Sequence, residues 1–304
     1  MEECTMIRLN QSQVTFDAAT HTYQLGGVQL QGITGTLIKR AFPDKYKDID
    51  PEVLAEAARK GHELHEAIQN YDRFGIASDD ERVKNYADLK QGSGLVTVEN
   101  EYLVSDNEHY ASSIDIVMRN ALDEVTLVDI KTTYTLDRAS TALQLSIYKR
   151  WFEQQNEGLK VAHICALWLP NRDYSICDLV ELSPVSAEVI DALIEADLND
   201  EHFEYVTVPQ WYEELEVKYR RYAKMKADAE YSIEHIKTQL MEMMKTENLT
   251  QIKSGYYTVS YIPEKVGKRF DSTLFKSENK ELYNKYMKDS VTAAQVRFTE
   301  TKNK

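Results

Sequence analysis

The order of helix and strand patterns between residues 51 and 182 constrains the fold of this chain more than any other feature of its sequence. The first pattern is a helix from Pro51 to about Tyr71, in which apolar or small residues such as Ala57, Ala58 and Leu64 recur three and four positions apart. The patterns that follow are strands at Leu95–Val104, Tyr110–Met118 and Glu124–Lys131, a helix from Asp137 to about Gln155, and strands at Val161–Leu169 and Tyr174–Leu182. This order predicts an α/β protein with a mixed β-sheet core flanked by helices.

A tight hairpin is predicted at the centre of this sheet. Only the polar segment Arg119–Asp123 separates the strand patterns Tyr110–Met118 and Glu124–Lys131. The three central strands should therefore form an antiparallel meander. Shorter strands that turn at Gly26-Gly27 are predicted between residues 14 and 36.

Length and composition predict two parts. A chain of 304 residues exceeds the usual size of one domain, and its hydrophobic content of 42% supports a packed core rather than disorder. We expect a core domain at residues 1–205 and a mostly helical extension at residues 206–304. The patterns in the extension are a long helix from about Trp211 to Lys245, a strand at Tyr256–Ile262 and a Lys-rich tail from Glu264 to Lys304.

Charge is distributed unevenly along the chain. The formal net charge of −14 argues by itself against binding to phosphate groups. However, residues 1–212 carry 18 basic and 36 acidic side chains, a net charge of −18, whereas residues 213–304 carry 18 basic and 14 acidic side chains, a net charge of +4. The densest basic stretch contains Lys218 and Arg221 next to Tyr219 and Tyr222, which suits contacts with DNA, although a solvated helix surface is the alternative.

The sequence predicts an intracellular, cytoplasmic protein that does not enter a membrane. It contains no run of about 18 apolar residues and no basic segment followed by an apolar one at its start. Cys4, Cys165 and Cys177 are far apart and include no CxxC pair. We therefore expect reduced thiols, and neither a zinc site nor an iron–sulfur cluster.

The triplet Asp129-Ile130-Lys131 ends a predicted strand and carries a carboxylate and an ammonium group on one face, because residues two apart on a strand point the same way. The carboxylate could hold Mg²⁺ or Mn²⁺, and the lysine could orient or help to deprotonate an attacking water molecule. A surface ion pair is the alternative interpretation of this triplet alone.

Asp115 and His65 are the candidates to complete such a site. Asp115 lies within an apolar strand, where an unpaired carboxylate would be costly, and the hairpin should bring it beside Asp129. His65 lies on the apolar side of the first helix, whereas His62 is rotated away from it. The alternative for Asp115 is a structural pair with a basic residue. The alternative for His65 is a hydrogen-bonded histidine of the core.

Gln144 and Tyr148 are four residues apart on the second helix, so they share a face and could both reach the site or a DNA phosphate. Ordinary helix packing is the alternative for this pair.

In this order and spacing the motifs resemble the RecB-type branch of the PD-(D/E)xK nucleases, which have a restriction-endonuclease-like core. The resemblance spans residues 14–182, and the matched motifs lie within residues 61–148. They are Gly61-x-x-x-His65, Ser113-Ile114-Asp115, Val128-Asp129-Ile130-Lys131-Thr132 and Gln144-x-x-x-Tyr148. Many relatives have Gly before the first aspartate, where this chain has Ser112-Ser113.

The resemblance implies a role for each matched residue. The implied metal ligands are His65, Asp115, Asp129 and the backbone carbonyl of Ile130. The implied catalytic residues are Glu101, Asp115, Asp129 and Lys131, with Glu99 as the competing choice for the less regular upstream acid. Gln144 and Tyr148 would contact DNA and organise the site.

The expected function is that of a divalent-metal-dependent DNA nuclease that leaves 5′-phosphate ends. Residues 14–30 resemble the start of phage-encoded members, and residues 268–272 and 282–286 resemble the end of phage recombination exonucleases, which favours an exonuclease in phage DNA recombination or processing within the host cytoplasm. A structure-specific or site-specific endonuclease, a catalytically silent DNA-binding protein and a phosphohydrolase of small nucleotides are the alternatives. The expected partner is DNA, and the resemblance also allows a single-strand-annealing or other recombination protein and a homo-oligomer.

Overall fold

The computed structural model describes residues 7–18, 20–264 and 270–288. The chain divides into two compact units, Met1–Arg221 and Tyr222–Lys304. The first unit is a mixed α/β structure built on one eight-stranded sheet, which confirms the expected α/β class. The predicted boundary at residue 205 precedes the long helix, whereas the division between the two units falls within it.

The strands of the first unit are β1 (Thr15–Asp17), β2 (Thr22–Leu25), β3 (Val28–Gly32), β4 (Val96–Ser105), β5 (Tyr110–Arg119), β6 (Val125–Lys131), β7 (Val161–Trp168) and β8 (Asp178–Leu182). Its helices are α1 (Lys39–Ala41), which continues a π-helical turn at Thr34–Ile38, α2 (Pro51–Phe74), α3 (Glu81–Ser93), α4 (Arg138–Gln155), α5 (Ala187–Leu198) and the start of α6 (Gln210–Thr246). The second unit contains the rest of α6, β9 (Gln251–Lys253), β10 (Thr258–Ser260), α7 (Ser272–Glu278) and α8 (Lys280–Lys285).

The sheet forks along one edge of β5. β4 pairs with the other edge of β5 along nearly its whole length, in the predicted antiparallel arrangement. On the forked edge, β3 pairs in parallel with Tyr110 and Ala111, and β6 pairs antiparallel with residues 116–119. Among the described residues, no strand therefore pairs with residues 112–115 on that edge, so side chains can approach the backbone there.

Helices cover both faces of the sheet. One core cluster joins α2 and α3 to the sheet, and its members include Leu64, Ile68, Val83, Tyr86, Val128 and Ile130. The other joins α4 and α5 to the opposite face, and its members include Leu143, Ile147, Trp151, Leu193, Leu127 and Ala166. Because both faces are buried, the central strands are apolar on both sides.

In β4 and β5 the regular alternation of side chains between the two faces of the sheet is interrupted, and the two interruptions lie opposite each other. Ile114 belongs to the core on the α4 side, but Ile116 belongs to the core on the α2 side, although residues two apart normally share a face. Glu101 lies between the partners of these two residues and is therefore opposite Asp115. Glu101 has a φ of 52°, a left-handed conformation that costs a non-glycine residue about 1–3 kcal/mol and occurs often at functional sites.

The buried face predicted for the first helix is wrong over its first turns. α2 begins at Pro51, as predicted, and the side chain of Asp50 accepts a hydrogen bond from the backbone N–H of Glu52. Ala57 and Ala58 are nevertheless exposed, and the buried face begins near Leu64. Gly61 of α2 lies next to Thr132, the first residue after β6. The turns of α2 before Gly61 therefore extend past the end of the sheet.

Other elements differ from the predicted ones in extent. The sequence patterns did not reveal α3 or α5, and β8 begins at Asp178 rather than at Tyr174. The side chain of Asp173 accepts hydrogen bonds from the N–H and hydroxyl of Ser175 and holds this segment in a turn. β10 covers only the middle of the predicted Tyr256–Ile262 strand.

Two further expectations concern cysteines and membranes. Cys165 and Cys177 are free thiols, as predicted, and Cys4 lies outside the described residues. None of the described helices combines the length and apolar character needed to span a membrane.

Candidate functional site

A histidine and two carboxylates from three elements meet at the fork. His65 of α2, Glu101 of β4 and Asp115 of β5 each offer a ligand atom, and these atoms all lie within 4.8 Å of one another. Nδ1 of His65 is 3.7 Å from Oδ2 of Asp115. Among the described residues this is the one group of three such side chains close enough to hold a common metal ion.

Helical geometry aims His65 at the sheet. Leu64 and Ile68 are buried against the strands, and His65 between them is half-buried, whereas His62 is exposed. This is the orientation that the spacing of apolar residues predicts. The imidazole therefore reaches the fork from the α2 side, while Glu101 and Asp115 come from the sheet itself.

The fork also fixes Asp115. The ladder between β5 and β6 begins at Ile116 and Val128, so the backbone N–H of Ile130 has no partner in β5 and donates to Oδ2 of Asp115 at 2.7 Å. Burial of the carboxyl group raises the pKa of Asp115 to about 7; His65 opposes this shift, and the negative charges of Asp129 and Glu101 add to it. The positive charge near Asp115 is therefore too small to offset the cost of burying its ionised form.

We expect divalent-metal binding at this group to depend on pH. Protons and the cation compete for the carboxyl group of Asp115, whose pKa is raised to about 7, so binding should strengthen as the pH rises through that value. With one competing proton, the apparent affinity for Mn²⁺ should be about tenfold higher at pH 8 than at pH 6. Calorimetric titration with Mn²⁺ at the two pH values measures this change, and equal affinities would contradict it.

Glu101, and not Glu99, belongs to the group. The exposed carboxylate of Glu101 accepts a hydrogen bond from the hydroxyl of Ser113 at 2.7 Å. Glu99 instead forms an ion pair with Arg73 at 2.9 Å. Ser113 belongs to the matched Ser113-Ile114-Asp115 motif, but the sequence analysis gave it no role at the site.

Replacement of these two glutamates should separate their roles. Glu101→Ala is expected to weaken Mn²⁺ binding at the group by at least about tenfold, because it removes one of three donor groups. Glu99→Ala also removes one negative charge, but from an exposed ion pair with Arg73, and should leave the Mn²⁺ affinity unchanged. The measurement is the same calorimetric titration for both variants, and a larger effect of Glu99→Ala would exclude the assignment of Glu101.

Asp129 lies beside this group but has other contacts. Its carboxylate is 2% exposed, and Oδ1 accepts a hydrogen bond from Nε2 of Gln144 at 2.9 Å. Oδ2 forms an ion pair with Nζ of Lys131 at 2.7 Å but accepts no hydrogen bond of regular geometry. Asp129 therefore has a buried oxygen with unused acceptor capacity, although it is not a member of the three-residue group.

Lys131 retains its proton in this environment. Burial lowers the pKa of Lys131, but the charge of Asp129 and its contact with Lys131 outweigh burial, so the pKa is raised. Nζ also donates to Oε1 of Gln144 at 3.1 Å. This favours orientation and charge compensation by the ammonium group over removal of a proton from water.

Gln144 and Tyr148 connect the site to α4 from inside the protein. Nε2 of Gln144 donates to the hydroxyl of Tyr148, and this hydroxyl lies 2.8 Å from the hydroxyl of Ser112. The side chains of Gln144 and Tyr148 are buried; Gln144 contacts Asp129 and Lys131, and Tyr148 contacts Ser112. Their expected roles in DNA contact and site organisation stay predictions. Ser112 entered the sequence analysis only as a departure from the glycine of many relatives, with no role at the site.

The remaining candidates are Ile130, Lys218 and Arg221. Ile130 is 4% exposed and contributes its N–H to Asp115. Lys218 is exposed on α6, and Arg221 forms an ion pair with Glu181 of β8 at 2.7 Å. Among the described residues, no hydrogen bond or ion pair joins Lys218 or Arg221 to His65, Glu101 or Asp115.

The comparisons with known proteins do not assign the chain to a family. No family model and no curated protein matches it. Eleven chains of solved structures match. One of them is described as the crystal structure of SSO0001; it is 15% identical, with 57% of this chain and 78% of that chain covered and a TM-score of 0.32.

Proposed function

We propose that this chain is a divalent-metal-dependent deoxyribonuclease that hydrolyses phosphodiester bonds at the group of His65, Glu101 and Asp115. The observation that carries the proposal is the convergence of these side chains from three elements within 4.8 Å, beside the Asp129–Lys131 pair. Matched motifs of a RecB-type PD-(D/E)xK nuclease contain His65, Asp115, Asp129 and Lys131, and Glu101 was the first choice, over Glu99, for the less regular upstream acid. The proposal therefore includes a restriction-endonuclease-like core.

The donor chemistry of the site fits Mg²⁺ or Mn²⁺. Carboxylate oxygens are the ligands that both ions prefer, and the imidazole of His65 makes Mn²⁺ a good occupant. The raised pKa of Asp115 and the unused acceptor capacity of the buried Asp129 Oδ2 are what a carboxylate site shows when its counter-charge is a cation. His65, Glu101 and Asp115 would hold the ion, and Asp129 offers a further oxygen beside them.

The side chains around this group suit phosphodiester hydrolysis. When bound, the cation would polarise the scissile phosphate and lower the pKa of a water molecule. Lys131 holds its proton, so its ammonium group would donate to a phosphate oxygen and offset the negative charge that develops during attack. Asp129 and Gln144 both contact Nζ of Lys131 and fix its position before substrate arrives.

An exonuclease in DNA recombination or processing is our first choice among nucleases. Its support is the resemblance of residues 14–30 and of the C-terminal motifs to phage enzymes, although Lys268 and Arg269 of those motifs lie outside the described residues. A recombination partner and a homo-oligomer remain predictions of the same resemblance. A structure-specific or site-specific endonuclease is the second choice.

Incubation of the full chain with linear and closed circular DNA tests the proposal. We expect linear DNA to be degraded with Mn²⁺ and to survive in EDTA, because hydrolysis requires the cation. Asp115→Asn protein purified in the same way controls for contaminating nucleases. Loss of linear but not circular DNA would support an exonuclease, and intact linear DNA with Mn²⁺ would refute the proposed function.

A further inference from the structure

An exposed cluster of two aromatic rings and one arginine lies beyond the end of β6. We call Tyr134, Trp168 and Arg172 the stacking platform. The guanidinium carbon of Arg172 lies 4.6 Å from the ring centroid of Tyr134 and 5.6 Å from that of Trp168. Tyr134 is 68% exposed, Arg172 is exposed and Trp168 is half-buried, so a ligand can reach this cluster from solvent.

The platform begins beside Lys131. Trp168 is the ladder partner of Lys131 in the parallel pair of β6 and β7. Neighbouring strands are about 4.8 Å apart, and paired residues of parallel strands point to the same face. The side chain of Trp168 therefore leaves the sheet on the same face as that of Lys131, from the neighbouring strand.

Backbone contacts hold the platform in place. The loops after β6 and β7 are joined by hydrogen bonds from the N–H of Leu169 to the carbonyl of Lys131 at 2.8 Å and from the N–H of Asn171 to that of Thr132 at 3.1 Å. Nε1 of Trp168 donates to the carbonyl of Thr133 at 3.0 Å. The rings are thus positioned by the same two strands that position Lys131 and are pre-organised for a ligand.

A neighbouring stack shows how a purely structural pair differs. Arg82 lies 4.3 Å from the ring centroid of Tyr174, but its guanidinium group is buried and forms an ion pair with Asp80 at 2.6 Å. Arg172 forms no ion pair within 4.0 Å among the described residues, and its nearest charged influence there is the electrostatic interaction with Asp173, the next residue in the chain. Its guanidinium N–H groups can therefore still contact an anionic ligand.

Accessible aromatic rings beside an arginine that forms no ion pair within 4.0 Å among the described residues match the chemistry of a nucleotide. Each base has a π-face that stacks on Tyr or Trp, and arginine can contact both base and phosphate. In a duplex the faces of the bases are covered by their neighbours, so stacking of this kind requires an unpaired base. We propose that the stacking platform binds an unpaired nucleobase of the strand that reaches Lys131, so that the substrate is single-stranded DNA or a frayed duplex end; this inference rests on the proposed nuclease function.

Binding of a fluorescent oligothymidylate to the full chain in EDTA tests the platform without cleavage. Because stacking of one base contributes substantially to affinity, Tyr134→Ala and Arg172→Ala should each raise the Kd about five- to hundredfold. Tyr134→Phe keeps the ring and should bind like the wild type. Phe74→Ala removes a ring that is 70% exposed at the end of α2 and should also have no effect.

Tryptophan fluorescence gives an independent measurement. Stacking of a base on Trp168 should quench emission from the protein when the oligonucleotide is added. Trp168→Phe should lose most of this quenching. Trp211→Phe, which removes a tryptophan that is 64% exposed on α6, should keep it.

Several results would overturn the inference. The first is that the wild type does not bind single-stranded DNA. The second is that both alanine variants bind it with wild-type affinity and unfold at the wild-type temperature. The third is that the variants lose affinity for single-stranded and duplex DNA by the same factor. If an alanine variant unfolds, the comparison of Trp168→Phe with Trp211→Phe decides. Platform-dependent binding by a protein that does not cleave DNA with Mn²⁺ would support the platform and refute the nuclease, whereas cleavage without a role for the platform would do the reverse.

Discussion

Replacement of Asp115 by Asn is expected to abolish metal binding at the fork and to lower DNA hydrolysis by about 10³-fold or more, because a catalytic cation contributes several kcal/mol of transition-state stabilisation. The substitution keeps the size of the side chain and an oxygen that accepts the hydrogen bond from the N–H of Ile130. It removes the negative charge and replaces one carboxylate oxygen by an amide NH₂ group, which cannot bind a cation. The measurements are calorimetric titration with Mn²⁺ and the initial rate of DNA degradation.

The same substitution should stabilise the metal-free protein at neutral and higher pH. The pKa of Asp115 is raised to about 7, so the native state binds its proton more tightly than the unfolded chain does. Stability from this group is therefore present at low pH and is lost as the pH rises from about 4 to about 7. At pH 8 in EDTA, Asp115→Asn should increase the free energy of unfolding by about 1–2 kcal/mol, a gain of several degrees in Tm.

Asp72→Asn is the matched control. The side chain of Asp72 is 0% exposed and forms an ion pair with Lys90 at 2.5 Å, so its neutralisation leaves a lysine without its partner. It should lower the Tm, with metal binding unchanged. A lower Tm for Asp115→Asn in EDTA would show that the carboxylate is structural, and retained Mn²⁺ binding by that variant would exclude it as a ligand.

Lys131→Ala should lower the rate of DNA hydrolysis by about 10²–10³-fold at saturating Mn²⁺, the usual loss when one pre-organised donor to the transition state is removed. Metal binding should persist, because the ammonium group of Lys131 contacts Asp129 and Gln144 and is not a metal ligand. The loss should therefore fall on kcat. Lys131→Arg should not restore the rate, since a planar guanidinium group cannot occupy the place of the compact ammonium group.

Stability complicates this variant and also offers a control. Without Lys131 the carboxylate of Asp129, which is 2% exposed, loses its ion-pair partner, so Lys131→Ala should also unfold at a lower temperature. The double variant Asp129→Asn, Lys131→Ala should recover much of the Tm but no activity. Lys160→Ala, which removes a lysine that is 80% exposed, should change neither. Wild-type kcat in Lys131→Ala would exclude a catalytic role for this lysine.

Local sequence was enough to predict the central hairpin and the side chains it carries. Period-two alternation and a five-residue polar turn indicated that Asp115 and Asp129 lie on adjacent strands, and helical spacing directed His65 toward the sheet. These features depend on residues that are close in sequence, so a single chain displays them. The same holds for α4 and α6, whose observed ends lie within a residue or two of the predicted ones.

Tertiary structure alone decided what completes the site. The resemblance preferred Glu101 and left Glu99 open; the contact of Glu101 with His65 and Asp115 depends on a positive φ and a break in alternation that no sequence pattern reveals. The fork exists because β3 reaches β5 across almost eighty residues, and the stacking platform exists because β7 returns beside β6 after α4. Such pairings depend on which distant surfaces bury each other best, and periodicity along the chain contains no information about that choice.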